Sequence, residues 1–349
     1  MKDLVKINFY RDLKAAKDEA ANLQNLIANN LYPEKFLMPL TLQFELTTHC
    51  NVHCRRCYNK SGEDNKFQDA MTPENWKKFA RYLVERGGIF GCVISGGEPL
   101  LLGEDLFEIM DILHDDGTSF LVISNGLLMT HDKAKRFKKY RYQWFQISID
   151  GVNAARHDEF RQRAGSYDKA VNAVFTLSSL GIPVMIAHSV TPENLHEVDD
   201  MCKLAYSLGA SGIILGEIMP SGRAFYDSER LLLNHEQKNI LAEKIENNIR
   251  IFSGRMLVQR SSGAKIQLTR NLNIPNSGAI IRPNGDIRLD CTAPFVIGNV
   301  LEDDFCEIWN KKAHDAWKNP KVISYVNHFE DFADVNYEHK NYFDDDIKI

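Results

Sequence analysis

The sequence has no apolar run long enough to span a bilayer, and its first residues lack the apolar core of a secretory signal peptide. Positive charge is not in excess either. Lys and Arg number 42 against 47 Asp and Glu, which gives a formal net charge of −5. These absences argue against a membrane protein, a secreted protein and a nucleic-acid binder that relies on a basic surface. We therefore expect a cytoplasmic protein with no nucleic-acid or membrane partner.

Cysteine is also scarce, with seven residues in 349. In a reducing compartment we expect metal ligands, reactive thiols or small buried side chains rather than a disulfide framework. Cys50, Cys54 and Cys57 fall within eight residues of one another. The other four cysteines are scattered along the chain: Cys92, Cys202, Cys291 and Cys306.

Hydrophobic periodicity predicts a repeated unit of a short strand, a loop and an amphipathic helix. The predicted strands cover residues 40–47, 91–95, 119–124, 143–149, 183–190 and 212–216. The predicted helices lie near 73–86, 104–114, 131–139, 167–180, 193–208 and 235–250, and an earlier one covers 9–30. Strands that alternate with helices imply parallel pairing, in an open sheet or in a barrel.

After about residue 253 the pattern changes to short strands and one helix near 303–317. Asn284-Gly285 between two apolar stretches predicts a β-hairpin. We therefore expect an N-terminal helical segment (1–38), an α/β domain (39–252) and a small α+β extension of a β-hairpin plus helix with an acidic tail (253–349).

The segment that carries Cys50, Cys54 and Cys57 directly follows the first predicted strand. Thiolates are the usual ligands of iron–sulfur clusters, and three of them would leave one iron without a protein ligand. The spacing also admits buried cysteines on one helix face, a zinc site completed by His53, or a redox pair of Cys54 and Cys57. The polar residues between them favour the cluster.

A second segment, Ser95-Gly96-Gly97-Glu98-Pro99, ends the second predicted strand. Paired glycines allow backbone to approach a ligand closely, and a carboxylate can accept a hydrogen bond from an ammonium group. By itself the segment would also fit an ordinary strand–helix turn.

Together, CxxxCxxC followed by an aromatic residue and GGEP after the next strand resemble the radical S-adenosylmethionine (SAM) superfamily. Further matching segments follow in order: Ser124-Asn125-Gly126, Ser148-Ile149-Asp150-Gly151, His157 to Arg161, and Pro220 to Ala224. The resemblance covers about residues 41–225 and implies a partial (β/α)6 TIM-like barrel.

The resemblance implies that Cys50, Cys54 and Cys57 hold one [4Fe–4S] cluster. Reduction of the cluster, by an electron donor such as flavodoxin or ferredoxin, would cleave SAM to a 5′-deoxyadenosyl radical that abstracts a substrate hydrogen. The residues implied to contact SAM are Gly96, Gly97 and Glu98 at its amino group, Tyr58 at the adenine, and Ser124, Ser148 and Arg161 at ribose or carboxylate.

Residues 281–309 resemble a SPASM/twitch extension that has lost most of its cluster ligands. Only Cys291 and Cys306 remain there, so we expect no auxiliary cluster. A redox-neutral reaction then becomes more plausible, such as epimerisation with Cys291 as hydrogen donor, although a buried structural role for Cys291 is at least as plausible.

The leading hypothesis is an enzyme that modifies a ribosomally synthesised peptide by epimerisation or cross-linking. Two alternatives remain open from the residues alone. One is a radical SAM enzyme for a small molecule such as a sugar, amino acid or cofactor precursor. The other is a non-catalytic iron–sulfur or zinc scaffold.

Overall fold

A computed structural model describes residues 21–22, 24–31, 33, 35–62, 69–261, 264–273, 277–328 and 346–349. Positions 21, 22 and 24–28 are helical, and most of the predicted helix 9–30 lies outside the described residues. No helix in the described part of the chain is long and apolar enough to cross a membrane.

One sheet of eleven strands organises the molecule. The strands are β1 Thr41–Glu45, β2 Gly91–Ser95, β3 Ser119–Ser124, β4 Tyr142–Ser148, β5 Val184–Val190, β6 Gly212–Glu217, β7 Leu257–Arg260, β8 Gly278–Ile281, β9 Asp286–Asp290, β10 Ala293–Asn299 and β11 Ile347–Lys348.

The helices that follow or connect these strands vary from three to seventeen residues. They are α1 Pro73–Glu85, α2 Glu104–Asp115, α3 His131–Phe137, α4 Ala154–Arg161, α5 Ser166–Ser179, α6 Val198–Ser207, α7 Arg223–Tyr226, α8 Ser228–Leu231, α9 His235–Ile251, α10 Ala264–Asn273, α11 Phe305–Ile308, α12 His314–Ala316 and α13 Pro320–His328.

The strand order is β11-β10-β9-β8-β1-β2-β3-β4-β5-β6-β7, and all neighbours from β8 through β1 to β7 are parallel. The six predicted strands and their parallel pairing are confirmed. Because β7 and β11 are edges, this sheet does not close, as expected of a partial barrel. The carboxyl ends of parallel strands share one rim, where the working loops of such a fold lie.

Alternation along each strand separates the core from the concave face. On β1, Leu42 and Phe44 pack into the core beneath α1, whose Trp76 ring centroid lies 4.9 Å from that of Phe44. Burial of each such side chain contributes about 1.5–3 kcal/mol to stability. Glu45 points the other way but is also buried, at 1 % exposed, and so needs a polar partner.

Two helix starts share the sequence Thr-Pro-Glu-Asn, at residues 72–75 and 191–194, but differ in the structure. Thr72 caps α1 and accepts from the amide of Asn75 at 3.3 Å. The helix expected from 193 begins only at Val198, after a 3₁₀ turn at Leu195–Glu197. The reason is that the side chain of Asn194 donates to the carbonyl of Ser189 at 2.9 Å, which keeps this segment attached to the end of β5.

The sheet also continues past the predicted domain boundary at 252. Leu257–Arg260 pairs in parallel with β6, so α9 and β7 form a seventh helix–strand unit. The predicted hairpin around Asn284-Gly285 is confirmed by antiparallel pairing of β8 with β9, and Gly285 has φ +91°. The assignment of 1–38, 39–252 and 253–349 to separate domains stays a prediction.

Candidate radical SAM site

The three clustered cysteines lie on a loop that begins where β1 ends. This loop, residues 46–62, is held through its backbone by three other parts of the fold. The amide of Gly97 donates to the carbonyl of Thr47 at 2.7 Å, and the amide of His53 donates to the carbonyl of Arg161 at 3.1 Å. The amide of Arg223 donates to the carbonyl of Cys57 at 2.9 Å. The cysteine loop is therefore positioned by residues that are distant in sequence.

Each of the three sulfurs has a nitrogen donor beside it. Cys57 Sγ accepts from the amide of Ser61 at 3.3 Å. Cys54 Sγ accepts from Arg161 Nη1 at 3.3 Å, and Asn125 Nδ2 lies 3.9 Å from Cys50 Sγ. Hydrogen bonds to cluster sulfurs are among the features that set the potential of an iron–sulfur centre. The donor set therefore suits thiolate ligands.

Burial raises the pKa of the Cys50 thiol to about 12, so its thiolate requires a nearby cation. Iron would supply that charge. All seven cysteines lie within the described residues and none forms a disulfide. In the described part of the chain, no three Cys, His, Asp or Glu side chains converge on a single ion, as a zinc site would need. A cluster does not need such convergence, because its own iron and sulfur atoms keep its ligands apart.

Gly96 and Gly97 lie against the backbone of the cysteine loop. A Cβ at Gly97 would fall 2.0 Å from the carbonyl oxygen of His49, and one at Gly96 would fall 2.7 Å from that of Thr47. Gly96 also has φ +123°. The sequence predicts close backbone approach to a ligand at these glycines, and the structure shows close approach to the loop that carries the cysteines.

Glu98 is fully buried and is surrounded by donors from the chain itself. Its carboxylate accepts from the amide of Leu100 at 3.0 Å, the hydroxyl of Ser124 at 2.9 Å and the amide of Asn125 at 2.8 Å. Burial raises the pKa of Glu98, and these donors oppose the rise. Glu98 and Ser124, both predicted SAM contacts, thus bind each other and join the GGEP loop to the end of β3.

Arg161 is buried, at 5 % exposed, and ion-paired. Its Nη2 lies 2.5 Å from Oδ2 of Asp150, which is fully buried, and Arg56 Nε lies 3.5 Å from the same oxygen. Burial would raise the pKa of Asp150, but Arg161 and then Arg56 hold it well below its usual range. The third predicted polar contact, Ser148, is buried at the end of β4, two residues before Asp150.

Tyr58 directly follows the last cysteine of the loop, and its side chain is partly exposed. Its hydroxyl donates to the carboxylate of Glu45. Burial, and then the charge of Glu45, raise the pKa of Tyr58 well above its usual value. Arg282 Nε lies 3.3 Å from the other carboxylate oxygen of Glu45, which links the cysteine loop to the residues after β8.

Cys291 and Cys306 lie in separate environments. Cys291 follows β9, where its sulfur accepts from Gln267 Nε2 at 3.6 Å and lies 3.7 Å from the carboxylate of Asp290. Burial and Asp290 raise its pKa above the usual range, so the thiol is protonated at neutral pH. Cys306, on α11, donates to the sulfur of Met38 at 3.4 Å.

Four residues at this site had no role predicted from the sequence. Asn125 and Asp150 lie within segments that were recognised only as motifs. Arg223 donates to the carbonyls of Cys54 at 2.8 Å and Ser61 at 2.9 Å. The fourth residue, Asp69, accepts from the amide of Thr48, at 3.0 Å to Oδ1, and no sequence signal pointed to it.

Comparison with known proteins gives a match to the family described as the radical SAM superfamily over residues 44–205. The subtilosin biosynthesis protein AlbA of Bacillus subtilis is 30% identical over 81% of this chain, which spans 62% of the length of AlbA. The AdoMet-dependent heme synthase of Methanosarcina barkeri is 30% identical over 82% of this chain and 86% of its own. Mycofactocin maturase MftC of Mycolicibacterium smegmatis is 30% identical over 78% of this chain and 70% of its own length.

Among solved structures, Streptococcus suis SuiB bound to S-adenosylmethionine superimposes with a TM-score of 0.66. The match covers 93% of this chain and 82% of SuiB. The sequence identity is 14%, so the superposition shows a shared fold and nothing more.

Proposed function

This chain belongs to the radical SAM superfamily, and on that premise we propose that it is a maturase that modifies a ribosomally synthesised peptide. Two of the relatives described above support this proposal: AlbA is named for the biosynthesis of the bacteriocin subtilosin, and MftC is named as a maturase of mycofactocin. The single structural observation that carries the enzymatic assignment is the cysteine loop itself, with a nitrogen donor beside each of its three sulfurs.

Membership of the family implies a [4Fe–4S] cluster and SAM. We propose that Cys50, Cys54 and Cys57 hold the cluster, and that this cluster is the sole one. Cys92 and Cys202 are buried in the core, whereas Cys291 lies beside Gln267 and Cys306 lies beside Met38. When bound, the cluster supplies the electron that cleaves SAM to methionine and a 5′-deoxyadenosyl radical, which abstracts a hydrogen from the substrate.

The remaining predicted residues are proposed to form the SAM site around that loop. Gly96 and Gly97 bring the GGEP backbone against the cysteine loop, and Glu98 and Ser124 hold it there. Tyr58 is partly exposed, and its hydroxyl is already bound by Glu45. Arg161 and Ser148 lie at or near the buried carboxylate of Asp150, at the same rim of the sheet.

For the reaction we favour epimerisation over cross-linking. A hydrogen atom leaves a substrate Cα to form 5′-deoxyadenosine, and Cys291 returns a hydrogen atom from its thiol to the opposite face. The resulting thiyl radical then takes up one electron and one proton. The electron comes from a donor such as flavodoxin or ferredoxin. A thiol kept protonated by its surroundings suits this role. We place the reaction in the reducing cytoplasm, because an open cluster is oxygen-labile.

A small-molecule substrate is the second candidate, because the M. barkeri heme synthase matches this chain over 86% of its own length. The two candidates differ in the kind of substrate that should stimulate SAM cleavage. A precursor peptide encoded beside the gene should increase formation of 5′-deoxyadenosine and acquire a modified residue. Under the second candidate, a small molecule such as a sugar, amino acid or cofactor precursor should do so.

The test uses anaerobically reconstituted full-length protein, with iron per chain and 5′-deoxyadenosine measured for the wild type and for the triple variant Cys50→Ala/Cys54→Ala/Cys57→Ala. We expect about four iron atoms per wild-type chain, and we expect SAM cleavage by the wild type to be lost in the triple variant. About eight irons would contradict a single cluster and favour oxidative cross-linking. Bound zinc, or no cleavage by the wild type, would refute the assignment.

A further inference from the structure

The last residues of the chain form an edge strand beside the extension. Ile347 and Lys348 of β11 pair in parallel with Phe295 and Val296 of β10, and the amide of Ile349 donates to the carbonyl of Val296 at 3.0 Å. The residue that immediately precedes this strand is Asp346, whose side chain is 10 % exposed. The backbone pairing therefore fixes where the carboxylate of Asp346 lies.

That carboxylate contacts two buried arginines. Asp346 Oδ2 lies 3.0 Å from Arg282 Nη1, and Oδ1 lies 3.4 Å from Arg288 Nη1. Both arginine side chains are 1 % exposed. They alternate with Ile281 and Ile287, which pack into the core, so the arginines occupy the opposite, concave face of the sheet.

The same network continues to the cysteine loop. Arg282 Nε lies 3.3 Å from Glu45, and Arg282 Nη2 donates to the side chain of Asn59 at 3.3 Å. Glu45 accepts in turn from the hydroxyl of Tyr58. Among the described residues, the network therefore pairs two guanidiniums with two carboxylates, and one of those carboxylates also holds the aromatic residue that follows Cys57.

We propose that Asp346 is a positioning residue for the SAM site and acts on Tyr58 through Arg282 and Glu45. The inference rests on the proposed function in one respect, the contact between Tyr58 and SAM. Asp346 does not touch the cysteine loop. Its role is to neutralise the arginines so that Glu45 remains available to the hydroxyl of Tyr58.

The physical reason is charge balance in a buried site. Without the carboxylate of Asp346, Arg288 loses its ion-pair partner among the described residues, and an uncompensated buried charge is strongly unfavourable. Glu45 then turns toward the arginines and releases Tyr58, whose ring loses its fixed orientation. The cysteines and their nitrogen donors are not part of this network, so iron binding is expected to persist.

The experiment measures the dissociation constant of SAM by anaerobic equilibrium dialysis on reconstituted full-length protein. For Asp346→Asn we expect SAM to bind about tenfold more weakly, the equivalent of one hydrogen bond, with unchanged iron content. Asp346→Glu should recover most of the affinity because it restores the charge. Lys348→Ala is the matched control, since it changes an exposed side chain of the same strand.

A double-mutant cycle tests the route through Tyr58. If Asp346 acts through the hydroxyl of Tyr58, then Tyr58→Phe weakens SAM binding by a similar factor, and adding Asp346→Asn to Tyr58→Phe weakens it no further. Tyr58→Phe that binds SAM as tightly as the wild type overturns the proposal, whether or not Asp346→Asn folds. Unchanged SAM affinity in Asp346→Asn also overturns the proposal. Loss of iron together with a lower melting temperature in that variant overturns it as well. A wild type that binds neither iron nor SAM refutes the proposed function instead.

Discussion

The guanidinium of Arg161 donates a hydrogen bond to the sulfur of Cys54 across 3.3 Å, although the two residues are 107 positions apart. Arg161 is oriented for this contact by the buried carboxylate of Asp150, 2.5 Å from its other terminal nitrogen. This relationship joins the end of α4 to the cysteine loop and leads to the first prediction.

Arg161→Gln should lower the midpoint potential of the reconstituted cluster by several tens of millivolts. A hydrogen bond from a charged donor contributes about 1.5–3 kcal/mol, and about 59 mV corresponds to a tenfold change for one electron. Loss of the donor destabilises the more negative, reduced state of the cluster. The measurement is a redox titration followed by electron paramagnetic resonance. Arg163→Gln, at an exposed position two residues away, should leave the potential unchanged; equal shifts in both variants would refute a specific contact.

Gly97→Ala should prevent stable iron incorporation. The new Cβ would lie 2.0 Å from the backbone carbonyl oxygen of His49, so the GGEP loop and the cysteine loop would have to move apart. Iron per chain after reconstitution is the measurement. The control is Gly181→Ala, which has open space around its Cβ but φ +78°, so it should cost about 1 kcal/mol of stability and retain iron. Full iron occupancy in Gly97→Ala would show that the loops can separate.

Arg223→Met should make the cluster more labile without changing the fold. It removes the donors to the carbonyls of Cys54 and Ser61 while it keeps the aliphatic part of the side chain. We expect iron transfer to a chelator to be about tenfold faster, consistent with the loss of about 1.4 kcal/mol of hydrogen bonding. Arg230→Met tests for a general charge effect, because Arg230 is exposed and pairs only with Glu193 among the contacts described. Similar rates in the two variants would argue against a role for Arg223 in holding the loop.

Cys291→Ala should leave SAM cleavage intact and abolish the epimerised product. Without the thiol, the substrate radical has no hydrogen donor on that face. Mass spectrometry of the peptide in D₂O reports the transfer, because epimerisation through an exchangeable thiol adds one deuterium. Cys306→Ala, with its thiol beside Met38, is the control. A deuterated product from Cys291→Ala would exclude Cys291 as the donor.

The pH dependence of that transfer follows from the surroundings of Cys291. Burial and Asp290 raise the pKa of the thiol, so it stays protonated as the pH rises toward the ordinary cysteine value, which is about 8.5 in peptides. Since a thiolate has no hydrogen atom to donate, deuterium incorporation per 5′-deoxyadenosine should stay constant from pH 7 to about 8.5. A decline across that interval would indicate a donor with an ordinary pKa.

Local patterns were sufficient to predict much of this molecule. The strands alternate or run apolar because one or both faces are buried, and helix starts such as Thr72-Pro73 depend only on neighbouring residues. The cysteine spacing predicts a shared metal centre for the same reason, since one loop carries all three ligands. Pairing between distant segments was not predictable: β8 joins the parallel sheet beside β1 although more than two hundred residues separate them.

The roles of polar side chains depended still more on the tertiary structure. Glu98 and Ser124 were each predicted to contact a ligand, but the fold directs them to each other across 2.9 Å. Asp346, the described member of the acidic tail nearest to the sheet, lies between two buried arginines, a contact that no sequence pattern predicts. The amino-acid sequence by itself determined the superfamily and the strand–helix order, and it predicts the cysteine ligands, because each depends on residues close together in the chain. The tertiary structure alone decided which charges meet, because a buried ion pair forms between whichever groups the packed sheet brings into contact.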